Sequence, residues 1–271
     1  MLYHHAIKYA LAFPSILLWV AASSLPPLRV MPLGDSITRG TGSPDITGYR
    51  HKLRSALQNH QPGLEVDMIG SLQDGEMADN DHEGHSGKYL SDIREYLELS
   101  VPAKPNVVCL LAGTNNMDLE VDLDSADQII QDIINRLFEA SQGVTVLVAP
   151  VIWANDTRMQ ANTDAFNEKL DKIIEGMDGE QVLSVPINIT LGDLSDRKHP
   201  NERGYGKMAD AWFQAVLDAQ SRGWVREPES VDKDELPGMG LGQSKDGETS
   251  GASRVRYPWL DVKRMYNSLR L

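Results

Sequence analysis

Apolar residues along this 271-residue chain gather in five short runs rich in β-branched side chains. They are LRVMPL (28–33), LEVDMIG (64–70), NVVCLLAG (106–113), GVTVLVAP (143–150) and QVLSVP (181–186). Runs of this length, flanked by Gly and Pro, read as strands buried on both faces of a parallel sheet. The stretches between them read as helices, over 48–60, 90–100, 125–142 and 162–177, with a fifth over 201–220. The clearest is 125–142. There Ile129, Ile130, Ile133, Ile134 and Leu137 form one apolar stripe and Asp127, Gln131 and Asn135 lie opposite. Met208, Trp212 and Val216, at i, i+4 and i+8 of the last helix, are expected in the core. This strand–helix alternation predicts an α/β fold: a three-layer α/β/α sandwich around a five-stranded parallel sheet of flavodoxin-like order. Any site then lies in the loops at the carboxyl ends of the strands.

The pattern breaks at both ends. Residues 1–24 place Lys8 ahead of an apolar run from Tyr9 to Ala22, followed by small residues, which is the layout of a secretory signal. The run is shorter than the roughly 20 apolar residues a membrane span needs, and Pro14 interrupts it. An uncleaved anchor is the competing reading. After Trp224 the chain turns charged and rich in Gly and Ser, with too little apolar material to pack. The folded domain is therefore expected over 25–224, with a linker or poorly ordered tail over 225–271. Sequons at Asn155-Asp156-Thr157 and Asn188-Ile189-Thr190 would accept glycans on a secretory route. The chain is expected to be a secreted glycoprotein.

Charge and cysteine count narrow the partners. A formal net charge of −13 argues against nucleic acid or an anionic membrane surface, both polyanions. Cys109 is the only cysteine, so no intrachain disulfide can form, and its apolar neighbours mark it as a buried structural thiol. The segment ADNDHEGHSG (78–87) is dense in Asp, Glu and His. Its spacing fits neither the H-E-x-x-H zinc pattern nor the EF-hand loop. It is expected to bind no metal and to form a polar loop rimming a cleft, with His85 able to touch a ligand. Trp153, after the fourth run, suits either a sugar-stacking role or a half-buried loop position.

The chemistry-bearing residues fall at the ends of these runs. RVMPL runs directly into GDSITRG, and a Ser in a Gly-bearing turn between strand and helix is where an α/β enzyme places a nucleophile. Ser36 is the candidate. The turn is not the G-x-S-x-G elbow, because position 38 is Thr, and Gly-Asp-Ser-x-Thr equally suits a helix cap. Asp35 is expected to bond backbone amides of the turn. Asn115, in LLAGTNNMD, could donate its side-chain N–H to a developing oxyanion, although Asn-Asn after a strand is also ordinary turn chemistry. Gly87 could bring a bare backbone N–H to the same oxygen. In SDRKHPNERGYG (195–206), Asp196 precedes His199 by three residues, close enough for the carboxylate to reach the imidazole.

GDSIT, the Gly of HSG, GTNN and DRKH, in that order, resemble the four sequence blocks of the SGNH (GDSL) hydrolases. The resemblance runs from about 28 to 222. The NDHEGHSG and DRKHPNERGYGKMADAW stretches are most similar to carbohydrate esterase family 3, the acetylxylan esterase type. It implies Ser36 as nucleophile, His199 as base, Asp196 as its orienter, and an oxyanion hole made by the Ser36 N–H, Gly87 and Asn115. It further implies a cofactor-free esterase that removes acetyl or other short acyl groups from carbohydrate hydroxyls through an acyl-enzyme. The expected partner is an acetylated polysaccharide or oligosaccharide, with no nucleic acid, no stable membrane partner and a monomeric chain. A lysophospholipase or short-chain lipid esterase would need an apolar acyl groove that the loop sequences do not show. A non-catalytic glycan-binding module would not need the intact Ser36, Asn115, Asp196 and His199 set.

Overall fold

A computed structural model describes residues 24–231. The expected signal (1–24, apart from Ser24) and the tail beyond 231 lie outside the described residues. From the amino end the chain forms β1 (Leu28–Gly34), α1 (Ser36–Arg39), α2 (Arg50–His60), β2 (Val66–Met68), β3 (Leu72–Gln73) and β4 (Asp81–Gly84). It continues through α3 (Leu90–Tyr96), β5 (Val107–Leu111), α4 (Thr114–Leu119), α5 (Ala126–Ala140), β6 (Thr145–Val148), α6 (Thr157–Glu175), β7 (Val182–Ser184) and α7 (Glu202–Ser221).

β1 lies inside the sheet. On one side it pairs in parallel with β5, from Val30↔Val107 to Gly34↔Leu111, and β6 and β7 continue outward in parallel. On its other side two short strands lie in series, β2 against Leu28–Val30 and β4 against Leu33 and Gly34. The expected five-position parallel order is thus present, with the second position shared by two strands. β3 adds a short antiparallel pairing to β4.

β4 is a correction to the sequence reading, which made 78–87 a polar loop. Its four residues, Asp-His-Glu-Gly, are all buried. A strand without apolar residues can be buried because its side chains are partnered inside. Glu83 accepts from the Ser71 N–H and hydroxyl at 2.7 and 2.8 Å and from Ser100, and Asp81 accepts from Gln73 at 2.6 Å.

Alternate strand residues face opposite layers, as the two-residue period requires. Met31, Leu33, Val108, Leu110, Val146 and Val148 pack under α3, α5 and α6, against Ile93, Ile130, Ile133, Ile134, Leu137, Phe166 and Leu170. Leu28, Val30, Val107, Cys109, Leu111 and Leu147 pack under α2 and α7, against Leu53, Leu57, Tyr205, Met208, Trp212 and Val216. With both faces covered, the strands read as continuous apolar runs. Burial pushes the Cys109 thiol well above its ordinary range, so it is an inert core residue.

The helices depart from the pattern in extent and in number. α6 starts at Thr157, five residues before the expected 162, because Asp156 caps it by accepting from the Met159 N–H at 2.9 Å. The short α1 and α4, each directly after a strand, carry too few residues to show a period. The docked chain also runs past the expected boundary at 224. Val225 is buried, the Arg226 carbonyl accepts from Asn106 at 2.7 Å, and the Gln142 N–H donates to Glu229 at 2.6 Å. Among the described residues, no helix is long and apolar enough to cross a membrane.

Candidate active site

β1 delivers Ser36 at the first position of α1, where Asp35 acts as the cap. The buried Asp35 carboxylate accepts from the Ile37 N–H and from the Thr114 N–H, both at 3.1 Å. One side chain therefore locks the turn after β1 to the turn after β5. Burial pushes the Asp35 carboxyl above the usual range, and the hydrogen bonds from Thr114 and Ile37 oppose that shift.

The loop after β7 approaches the same point from the far side of the sheet. His199 Nε2 lies 2.9 Å from Ser36 Oγ, and His199 Nδ1 lies 2.7 Å from Asp196 Oδ2. The other Asp196 oxygen accepts from the backbone N–H groups of Lys198 and His199 at 2.8 and 2.7 Å. Partial burial pushes the Asp196 carboxyl up, but these backbone bonds and the His199 contact outweigh it and hold the group below the ordinary carboxylate range. Asp196 therefore stays ionised and aims at Nδ1, which fixes that nitrogen as the protonated one and leaves Nε2 free to accept a proton from Ser36. Asn201 then starts α7 by accepting from the Arg203 and Gly204 N–H groups at 3.0 and 3.1 Å, so the loop ends on a capped helix.

Gly87 and Asn115 meet beside this pair. The loop after β4 is tied to β1 by the His85 N–H donating to the Gly34 carbonyl at 2.9 Å. It then turns through Gly87, whose φ of +75° favours glycine. A methyl group built there would meet nothing within 4 Å. Within the protein itself, the demand for glycine thus comes from the backbone angle. Asn115 Nδ2 donates to the Lys88 carbonyl at 2.9 Å, which sets its amide against this turn.

Of the two other candidates, His85 is more enclosed than a rim position implies, and Trp153 takes the half-buried loop position that is one of its two readings. His85 is buried, stacked on Tyr96 at 4.3 Å, with Nε2 facing Glu83 at 2.6 Å. At 8% exposure it has little surface left for a ligand. Trp153 is half-buried, in a segment that abuts the His199 loop where the Asn155 N–H donates to the Arg197 carbonyl at 2.7 Å. The sequon residues Asn155 and Asn188 are both exposed. His82 is absorbed into the fold: its Nδ1 accepts from the Gly84 N–H at 3.0 Å, and burial, with Arg50 adding to it, pushes its pKa down to about 3. Among the described residues no cluster of His, Cys, Asp and Glu is arranged to hold a metal ion.

The sequence did not single out the charged residues that hold the loop. Asp118 at the end of α4 is buried, with Arg197 Nη2 and Lys198 Nζ each donating to its Oδ2 at 2.7 Å. Their only signal was two cations between Asp196 and His199. Gly42 was also missed. A methyl group on it would sit 2.4 Å from the Pro200 carbonyl and 2.6 Å from Ser195 Oγ, so the chain after α1 is in direct backbone contact with the His199 loop.

With this geometry in place, the comparisons with known proteins converge. Residues 33–207 match the model of the GDSL-like Lipase/Acylhydrolase family. A multidomain esterase of Ruminococcus flavefaciens is 28% identical over 222 residues, covering 70% of this chain and 28% of that protein. The chain thus spans less than a third of that relative's length. A family 3 carbohydrate esterase from Clostridium thermocellum shares 27% identity at a TM-score of 0.59, over 74% of this chain and 100% of that one. The fold is also that of a family 3 carbohydrate esterase from Talaromyces cellulolyticus, at 24% identity and a TM-score of 0.63, covering 72% and 99% of the two chains. An acetylxylan esterase from Geobacillus stearothermophilus shares the fold at 20% identity and a TM-score of 0.54, over 75% and 99%.

Proposed function

The chain belongs to the GDSL-like lipase/acylhydrolase family and is a carboxylic ester hydrolase close to carbohydrate esterase family 3, and from that premise we propose that it is a secreted serine esterase removing acetyl groups from carbohydrate hydroxyls. The observation that carries the reading is the unbroken line from Ser36 Oγ through the His199 ring to Asp196, at 2.9 and 2.7 Å. Carbohydrate and acetyl as substrate classes are supported by the printed activities of the relatives and structural neighbours. Secretion is supported by the expected leader and by the exposure of both sequon asparagines.

In this mechanism His199 Nε2 takes the Ser36 proton as Oγ attacks the ester carbonyl carbon. The imidazolium that forms is stabilised by the ionised Asp196. Negative charge developing on the carbonyl oxygen is met by the Ser36 N–H, the Gly87 N–H and Asn115 Nδ2, each donor worth roughly 3 kcal/mol. The tetrahedral intermediate collapses, His199 returns the proton to the departing sugar oxygen, and an acetyl–Ser36 ester remains. Water then attacks that ester with His199 again as base, releasing acetate and restoring Ser36.

The test is acetate release from acetylated xylan, with an aryl acetate and an aryl octanoate alongside, for wild type and Ser36→Ala. Acetate release from xylan that disappears with Ser36→Ala is the expected result. Ser36-dependent cleavage of octanoate but not of xylan would move the substrate to lipids. No Ser36-dependent cleavage of any ester would overturn the reading.

A further inference from the structure

Asn115 can serve an oxyanion only with Nδ2 facing it, because the other end of the same amide is a carbonyl that would repel negative charge. The two orientations differ by a half-turn of the side chain, and only the partners of the amide choose between them. Lys88 O accepts from Nδ2 at 2.9 Å, which engages one of its two hydrogens. At the other end Lys198 Nζ donates to Asn115 Oδ1 at 3.2 Å. An ammonium has donors and no acceptor, so it stabilises Oδ1 and disfavours Nδ2 in that place.

Lys198 is itself held. Its side chain is 14% exposed, and Nζ donates to Asp118 Oδ2 at 2.7 Å, with the Asp118 side chain 3% exposed. Burial pushes the Asp118 carboxyl up, but the bonds from Arg197 and Lys198 outweigh it and keep the group below the usual range. The anchor is therefore a carboxylate under ordinary conditions. A surface ion pair would contribute little, but this one is enclosed between α4 and the His199 loop.

We propose that Lys198, anchored by Asp118, is the positioning residue that sets the orientation of Asn115 and thereby aims the oxyanion donor. It lies next to His199 in the chain, so docking one loop delivers the base to Ser36 and orients the donor at the same time. The inference rests on the proposed esterase reading and on Asn115 as a donor.

A double-mutant cycle on an aryl acetate tests it, using Lys198→Met, Asn115→Ala and the pair, with kcat and KM measured separately. Removing one oxyanion donor costs about 10²–10³ in kcat. Lys198→Met is expected to lower kcat by about 10- to 100-fold with KM changed less than about two-fold, and to have almost no further effect in the Asn115→Ala background. Lys198→Arg, which still presents donors to Oδ1, is expected to recover most of the loss. The cycle is repeated with Asp118→Asn, so that a poorly folding Lys198→Met does not decide the matter. Equal losses in both backgrounds, or a loss confined to KM, would overturn the proposal. So would an Asn115→Ala variant of undiminished kcat, since there would be no donor to aim. Failure of the esterase reading is separate and shows as activity that Ser36→Ala leaves intact.

Discussion

Asp196 grips His199 twice: one carboxylate oxygen lies 2.7 Å from the ring Nδ1 and the other accepts from the His199 backbone N–H at 2.7 Å. A single side chain thus fixes both where the imidazole sits and which of its nitrogens carries the proton. Asp196→Asn keeps an oxygen for the backbone amides but turns an NH2 group toward Nδ1. The ring is then driven to the tautomer in which Nε2 cannot accept the Ser36 proton. We expect kcat to fall by about 10³–10⁴ with KM little changed. The side chain is 54% exposed, so the melting temperature should move little. A wild-type kcat in Asp196→Asn would remove Asp196 from the mechanism.

Gly42 has a φ of +102° and its missing Cβ would fall 2.4 Å from the Pro200 carbonyl. That neighbour is backbone and cannot swing away. Gly42→Ala should displace the His199 loop, with a loss of about 10- to 100-fold in kcat, because a shift near 1 Å in catalytic geometry costs about that much. Gly87→Ala meets no protein atom, so its cost to stability is that of the backbone angle alone, about 1 kcal/mol. Denaturant melts and kcat for the two variants separate the effects. Gly42→Ala with unaltered kcat would show that the loop tolerates the intrusion.

Asp193 sits under the start of α7, with Arg203 Nε and Lys207 Nζ each donating to it at 2.7 Å. Hydrogen bonds from Lys207 and Thr190 hold its carboxyl well below the usual range. A depressed folded-state value means that its stabilisation is complete above the unfolded pKa of about 4 and is lost as pH falls through the folded value. The melting-temperature gap between wild type and Asp193→Asn should be widest near pH 6 and close toward pH 2. A gap independent of pH would mean that the ion pairs contribute nothing.

Residues 225–231 dock at the end of the sheet away from Ser36. Arg29 Nη1 donates to the Glu229 carbonyl at 3.0 Å, and Val225 is buried in the layer of α2 and α7. Ending the chain at Trp224 should lower stability by about 1–3 kcal/mol, mostly from the lost valine burial, and leave kcat unchanged. Urea unfolding of the full chain and of the form ending at Trp224 measures the difference. An identical midpoint would show that the docked segment is not part of the folding unit.

Local patterns made the sheet and its two helical layers legible, because burial on both faces imposes continuous apolar runs on the strands and a 3.6-residue stripe on the helices. The candidates Ser36, Gly87, Asn115, Asp196 and His199 were legible too, since each sits in a short motif at the end of a run and their order resembles a known family. The strand Asp81–Gly84 was not. Its burial depends on Ser71, Gln73 and Ser100, partners outside the segment whose pairing residue type and spacing do not reveal.

The sequence by itself determined which residues could do the chemistry and which layers would bury them, for those properties live in residue type and spacing. Only the tertiary structure decided how that chemistry is aimed. The Lys198 contact to Asn115 and the Gly42 contact to Pro200 join segments far apart in the chain. Both exist only because parallel strands bring the ends of β1, β5 and β7 to one edge of the sheet.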